Sequence, residues 1–209
     1  MNILIADDHA IFRRGLREIL AEHFAGATFG EAATAQAALE QVWTKKWDVV
    51  LLDVTMPGRS GVDILQEIRK ERPALPVLML SGHSEEQYGV RVLQAGAAGY
   101  MTKLKAPSEL VDALKTVLAG GKYISPAIAD KLVSQLQPGA QKPPHERLSE
   151  REYQVMKLIA SGKSMKEIAA ELSVSFQTVS THRTRILKKM NLRTLGELIR
   201  YAVENQLVD

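Results

Sequence analysis

Over its first 120 residues the chain alternates between two textures. Short apolar runs occupy Asn2–Ala6, Ala27–Ala32, Asp48–Asp53, Pro76–Ser81 and Ala98–Thr102. Runs of this length predict buried strands. Between them apolar residues recur at helical spacing. Ile11, Leu16, Ile19 and Leu20 share one face, Val62, Leu65 and Ile68 another, and Leu110, Leu114 and Val117 a third. Strands that are apolar on both faces, each followed by a helix, predict a parallel sheet covered on both sides. The expected architecture is an α/β domain, a doubly wound (βα)5 parallel sheet. Ligands of such sheets bind at the carboxyl ends of the strands, where the strand order reverses.

The texture then changes. Helix five is expected to end near Gly120-Gly121, because paired glycines terminate helices. Ser125-Pro126 looks like an N-cap followed by Pro at the first helical position, starting a short connecting helix to about Leu136. Gln137–Pro144 is rich in Pro and Gly and reads as a linker. Beyond it, Ser149…Glu152, Ser164…Glu167 and Thr194…Glu197 each have the Ser/Thr-x-x-Glu form of a capping box, and a fourth helix begins near Ser175. The expected division is 1–121 for the sheet domain, 122–145 for the connecting helix and linker, and 146–209 for an all-α four-helix domain.

Composition narrows the choice. The 209 residues are 45% hydrophobic and 24% charged, ordinary for folded domains. There is no cysteine, which excludes disulfides, a thiol nucleophile and cysteine-based metal sites. No apolar run approaches the roughly 18–20 residues of a membrane helix. Acids at Asp7 and Asp8 directly follow the first apolar run with no basic segment before it, which argues against a signal peptide and makes the cytoplasm the expected compartment. Residues 1–125 carry a net charge of −1, whereas residues 163–193 hold seven basic and two acidic side chains. Such a difference suggests a different partner for each part.

On the sheet scaffold, the polar residues converge. Asp7 and Asp8 follow strand one, Asp53 ends strand three, Ser81 ends strand four and Lys103 follows strand five. Singly, each has an ordinary explanation: a helix cap, a turn former, a solvated lysine. Together they place three carboxylates on one sheet edge, where their repulsion calls for a hard divalent cation such as Mg²⁺. Lys103 offers a point charge and Ser81 a hydroxyl to a phosphoryl group. An ionised Asp53 is then a competent nucleophile, since aspartyl phosphates are an established class of covalent intermediate.

Ile5-Ala6-Asp7-Asp8, Leu52-Asp53-Val54-Thr55-Met56-Pro57-Gly58, Ser81 and Gly99-Tyr100-Met101-Thr102-Lys103 resemble the flavodoxin-like receiver domain of bacterial two-component response regulators. The resemblance implies that Asp53 accepts a phosphoryl group from a sensor histidine kinase. It implies that Asp7, Asp8, Asp53 and the Thr55 backbone carbonyl hold Mg²⁺, that Ser81 and Lys103 contact the phosphoryl oxygens, and that Tyr100 is the switch aromatic. Thr55 and His83, two residues after Asp53 and Ser81, would flank an attacking water and set the lifetime of the phosphoryl group.

In the rear part, residues 164–190 read as helix, turn, helix. Val179, Ile186 and Met190 fall on one face of the second helix, and Gln177, Ser180, Thr181, Thr184, Arg185 and Lys188 on the opposite one. No acid occurs from 176 to 190. A helix in the DNA major groove needs such donors, acceptors and cations. Lys163, Lys166, Lys189 and Arg193 would make flanking phosphate contacts, and His182 sits at the edge of the face. Leu148–Val155, Gly162–Ala169 and Thr178–Arg183 look like the LuxR-type helix-turn-helix, with Thr178 inside the motif and small departures at Met165 and Met190. Resemblance puts Ser180, Thr181 and Thr184 at base-reading positions.

The whole chain thus resembles the NarL/FixJ subfamily of response regulators. What this implies is a phosphorylation-switched transcription factor with promoter DNA and RNA polymerase as partners, dimeric when phosphorylated. The candidate dimer surfaces are the helix-one/helix-five face, the strand-five edge and the last helix. An aspartyl-phosphate phosphohydrolase would need a second Asp where Thr55 stands, so no turnover enzyme is expected. A third reading makes the rear helices a protein-docking module.

Overall fold

A computed structural model describes residues 1–56, 59–82, 85–135 and 143–208. They form two compact units, Met1–Leu136 and Gln137–Asp209.

The first unit is a five-stranded parallel sheet in the order β2-β1-β3-β4-β5. Its strands are β1 (Asn2–Ala6), β2 (Thr28–Ala32), β3 (Val49–Asp53), β4 (Val77–Ser81) and β5 (Gly99–Thr102). The expected starts of the last four lay one residue too early. Helices α1 (Ala10–His23), α2 (Ala35–Thr44), α3 (Gly61–Glu71), α4 (Glu85–Gln94) and α5 (Ala106–Leu118) make the crossovers. Every residue of β3 and β4 is buried, as a strand covered on both faces requires. Alternate residues divide the core. Ile3, Ile5, Val49, Leu51, Leu78, Leu80 and Met101 pack with Leu16 and Leu20 of α1 and Leu110, Leu114 and Val117 of α5. The intervening residues Leu4, Val50, Leu52, Met79 and Tyr100 face the other side.

Strand order reverses between β1 and β3, so their carboxyl ends open onto the site. A tight loop follows Asp53: Thr55 and Ser60 form an isolated antiparallel bridge, and the Gly61 amide donates to the Val54 carbonyl at 2.8 Å. Helix α3 starts there, with the Ser60 hydroxyl accepting from the Val62 amide. A Cβ on Gly61 would sit 2.0 Å from the Asp53 carbonyl oxygen, so only glycine lets the loop close this tightly.

Helix α5 ends at Leu118, with Gly120 at φ +82° as paired glycines predict. Tyr123 then lies beside β5, its amide donating to the Ala98 carbonyl at 3.0 Å, and covers part of the sheet's open edge. Helix α6 (Pro126–Gln135), expected as a connector, packs on α4. Ile128 is fully buried there, over Gly89, whose missing Cβ leaves room for it. Most of the expected linker, residues 137–142, lies outside the described residues, and Pro144 belongs to a 3₁₀ turn, Pro144–Arg147.

The second unit holds α7 (Glu150–Ala160), α8 (Met165–Glu171), α9 (Phe176–Met190) and α10 (Leu195–Glu204). All three capping boxes form, on Ser149, Ser164 and Thr194. Helix α9 packs on α7 and α8 through Val179, Ile186 and Met190, and α10 on α7. Between α8 and α9 the chain turns through Ser173 at φ +52°, and Arg151 of α7 ties the turn by donating to the Leu172 carbonyl at 2.7 Å.

Two glycines test this account in opposite directions. Gly61→Ala is expected to destabilise the chain by about 1–3 kcal/mol, since backbone atoms must move. Gly15→Ala, in α1 with nothing within 4 Å of its added Cβ, is expected to stabilise by about 0.5–1 kcal/mol. Urea unfolding of both variants reads the difference, and equal effects would contradict the tight closure at Gly61.

Candidate functional site

The carboxyl ends of β1, β3, β4 and β5 bring the predicted residues to one edge. Asp7 follows β1 and is fully buried, Asp53 ends β3 and is 1% exposed, and Ser81 ends β4, buried. Asp8 is partly exposed. The Lys103 amide donates to the Ser81 carbonyl at 2.7 Å, which anchors the backbone after β5 beside β4. From there Nζ of Lys103 reaches between two strands. It lies 2.7 Å from Asp7 Oδ2 and 2.8 Å from Asp53 Oδ2. The Phe12 ring stands 5.0 Å from the same ammonium. Thr55 is exposed, and its amide donates to Asp53 Oδ1 at 3.1 Å. Register pairs Met79 with Tyr100 and Ser81 with Thr102, so Ser81 and the fully buried Tyr100 lie on the same face of adjacent strands. His83 and the Pro57-Gly58 part of the motif lie outside the described residues.

One site residue escaped the sequence reading. His9 is the N-cap of α1; its amide donates to Asp7 Oδ1 at 2.8 Å, and its Nδ1 stands 2.7 Å from Asp8 Oδ1. Its position directly after two acids, where a helix must begin, was the available signal.

Electrostatics sets the character of the site. Burial, then repulsion from Asp7, raises the Asp53 pKa from 3.8 to about 6, against the opposing pull of Lys103 and the Thr55 amide. Burial works to lower Lys103, but the carboxylates of Asp53 and Asp7 outweigh it and hold the lysine above its usual range. One ammonium therefore faces two buried acids. Asp7 Oδ2 and Asp8 Oδ1 are buried and, among the described residues, accept no well-directed hydrogen bond despite the nearby Lys103 and His9. Ligand atoms of Asp7, Asp8, His9 and Asp53 all lie within 4.8 Å of one another. Three carboxylates gathered around a single lysine in this way are a donor set that could hold a metal ion.

In the second unit, α9 presents Gln177, Thr178, Thr181, Thr184, Arg185 and Lys188 as exposed residues, with Ser180 half-buried. Lys166 is exposed at the start of α8. Two predicted phosphate contacts are engaged within the unit. Lys189 pairs with the buried Glu152 at 2.6 Å, which removes it from the expected set. Lys163 pairs with Glu171, but both are well exposed, so that pair yields to a phosphate at small cost. His182 is half-buried, and burial, then Arg151, holds its pKa below the usual value. That environment suits a neutral core-edge ring better than a phosphate contact.

Comparison with known proteins covers both units. Residues 3–115 match the response regulator receiver domain, and residues 146–202 match the bacterial regulatory proteins of the luxR family. The chain is 36% identical to response regulator UvrY of Escherichia coli K12, over 99% of this chain and 95% of that protein. It is also 36% identical to the oxygen regulatory protein NreC of Staphylococcus carnosus, over the full length of both. Among solved structures, RcsB of Salmonella enterica serovar Typhimurium, bound to promoter rprA in the presence of phosphomimetic BeF₃⁻, is similar with a TM-score of 0.64 at 26% identity, covering 96% of this chain and 98% of that one.

The strain at Asp53 is measurable. Its folded pKa exceeds the free value, so its ionisation costs stability fully above about pH 6, and the cost fades as pH falls towards 3.8. Asp53→Asn keeps the shape without the charge. Near neutral pH without divalent cations it is expected to stabilise the receiver by about 1–3 kcal/mol. It is also expected to remove the decline in stability on going from about pH 4 to about pH 6. A variant no more stable than wild type in urea unfolding would show that the pocket is not strained.

Proposed function

The chain belongs to the response regulators that join a receiver domain to a LuxR-type DNA-binding domain, and we propose that phosphorylation of Asp53 by a sensor histidine kinase switches its binding to promoter DNA. The observation that carries this reading is the buried Asp53 carboxylate held against Lys103 beside two further acids. Asp7, Asp8, Asp53 and the Thr55 backbone carbonyl would hold Mg²⁺, which supplies positive charge to the oxygens of the transferring group.

The chain's own residues then have distinct roles. An Asp53 oxygen attacks phosphorus, the new O–P bond forms as the donor's N–P bond breaks, and the departing imidazole takes a proton from solvent. Lys103 leaves its bridge between Asp7 and Asp53 to hold a phosphoryl oxygen, and the Ser81 hydroxyl donates to another. Tyr100, on the same sheet face as Ser81, repacks with it as the switch. Thr55 and His83 set how fast water removes the group. The cycle is self-limited to Asp53, so the protein is a switch and not a turnover enzyme.

The output is homodimerisation and entry of α9 into the major groove, where regulation of transcription brings RNA polymerase as a further partner. The action belongs in the bacterial cytoplasm. Helix α10 offers one dimer surface, with exposed Ile199 and Val203 one turn apart. Gln177, Thr178, Ser180, Thr181, Thr184 and Arg185 would face the groove, and Lys163, Lys166 and Lys188 the phosphates.

The test is the affinity of the full chain for duplex DNA, measured with and without beryllofluoride and Mg²⁺ over a salt series. Activation is expected to tighten binding, and Lys188→Ala to weaken it evenly across sequences while reducing the salt slope by about one. Equal affinity in both states would contradict the switch, and no salt-dependent binding would contradict the DNA partner.

A further inference from the structure

Helix α9 opens on an aromatic residue that lies at the border between its core face and its basic face. Phe176 is 52% exposed; it stands three residues before Val179, at the border of the core face made by Val179, Ile186 and Met190, and four before Ser180, at the border of the basic face. The part of the ring left in water gains nothing from folding, and the helix that carries it has no acid from 176 to 190.

The hydroxyls that share this region are turned inward. Thr181 donates to the Gln177 carbonyl at 2.9 Å, and Thr184 to the Ser180 carbonyl at 3.1 Å. The Thr178 hydroxyl is within 2.8 Å of Ser175 Oγ, which also caps the Thr178 amide. The hydroxyl hydrogens of Thr181 and Thr184 are thus used by the helix itself, which leaves their oxygens as acceptors and their methyl groups as apolar surface. Phe176, Ser180 and Thr184, spaced four residues apart, form one ridge along the helix.

We propose that Phe176 is a specificity-determining residue, which reads the 5-methyl group of a thymine in each half-site by apolar contact. The inference rests on the DNA-binding reading above. Residues at the N-terminal end of a major-groove helix reach the base edges. Thymine alone presents a methyl group there, and phenylalanine is suited to it. Charge complementarity fixes the occupant: a basic, acid-free helix flanks the ring, so the surface that covers it is polyanionic. Discrimination therefore resides in apolar contact at the start of α9, and the hydroxyls of Thr181 and Thr184 contribute less than their positions suggest.

The experiment uses the full chain activated with beryllofluoride and Mg²⁺. The probe is the duplex it selects from a random-sequence library, and a series of that duplex with each thymine in turn replaced by deoxyuracil, which removes only the methyl group. Wild type is expected to lose about fourfold in affinity at one position per half-site, the worth of one buried methyl. Phe176→Ala is expected to be indifferent to that replacement, and Phe176→Leu, which keeps apolar cover at the edge of the core, intermediate. Phe176→Ala with the same thymine profile as wild type would overturn the inference and give the ring to a protein contact. Wild type that binds duplex without selecting a sequence would also overturn it, with the DNA-binding reading intact. Wild type that binds no duplex would overturn both.

Discussion

One lysine holds the receiver together at its most costly point. Asp7 and Asp53 are both removed from water, and the ammonium of Lys103 bridges them at 2.7 and 2.8 Å. Two buried acids against one cation leave the pocket short of positive charge, and removing the cation would leave carboxylates uncompensated. Burial lifts Asp53 to about 6 in spite of the lysine. A core built for stability alone would not keep such a group. In the proposed function the same deficit is useful, because it selects a divalent cation and keeps Asp53 poised between proton and phosphoryl group.

The scaffold around this point follows from it. The sheet reverses its strand order between β1 and β3, which brings Asp7 and Asp53 side by side. The loop after Asp53 closes over Gly61 with no space for a side chain, which fixes the Asp53 backbone. Ser81 and Tyr100 share a face of adjacent strands, the placement on which the proposed switch depends. On the same side of the sheet, α6 closes over α4 through Ile128 and Gly89. The chain that leaves the receiver is therefore packed on the layer that a switch at Tyr100 would disturb.

Much of this is legible in the sequence because it is periodic or local. Five apolar runs give five strands, and three Ser/Thr-x-x-Glu strings give three capping boxes. The acids at strand ends mark the site because topology brings strand ends together. What escaped depends on partners distant in sequence. Lys189 looks free on a helical wheel, yet it pairs with Glu152, 37 residues away. The packing of α6 turns on a missing Cβ at Gly89, which no hydrophobic pattern encodes. The threonines of α9 read as donors for bases until their hydroxyls are seen bonded to the preceding turn. His9 carries no distinguishing local pattern, because a residue after two acids at a helix start is placed by the cap alone, and its approach to Asp8 shows only in the structure.

The central claim is that Asp53, through its placement among Asp7, Asp8 and Lys103, accepts a phosphoryl group. It is tested most directly by treating the full chain with a small-molecule phosphodonor and Mg²⁺ and mapping the product by peptide mass spectrometry. The account predicts one phosphoryl group, on the peptide containing Asp53, dependent on Mg²⁺ and absent from Asp53→Asn. A phosphoryl group on another residue, or one retained by Asp53→Asn, would contradict it.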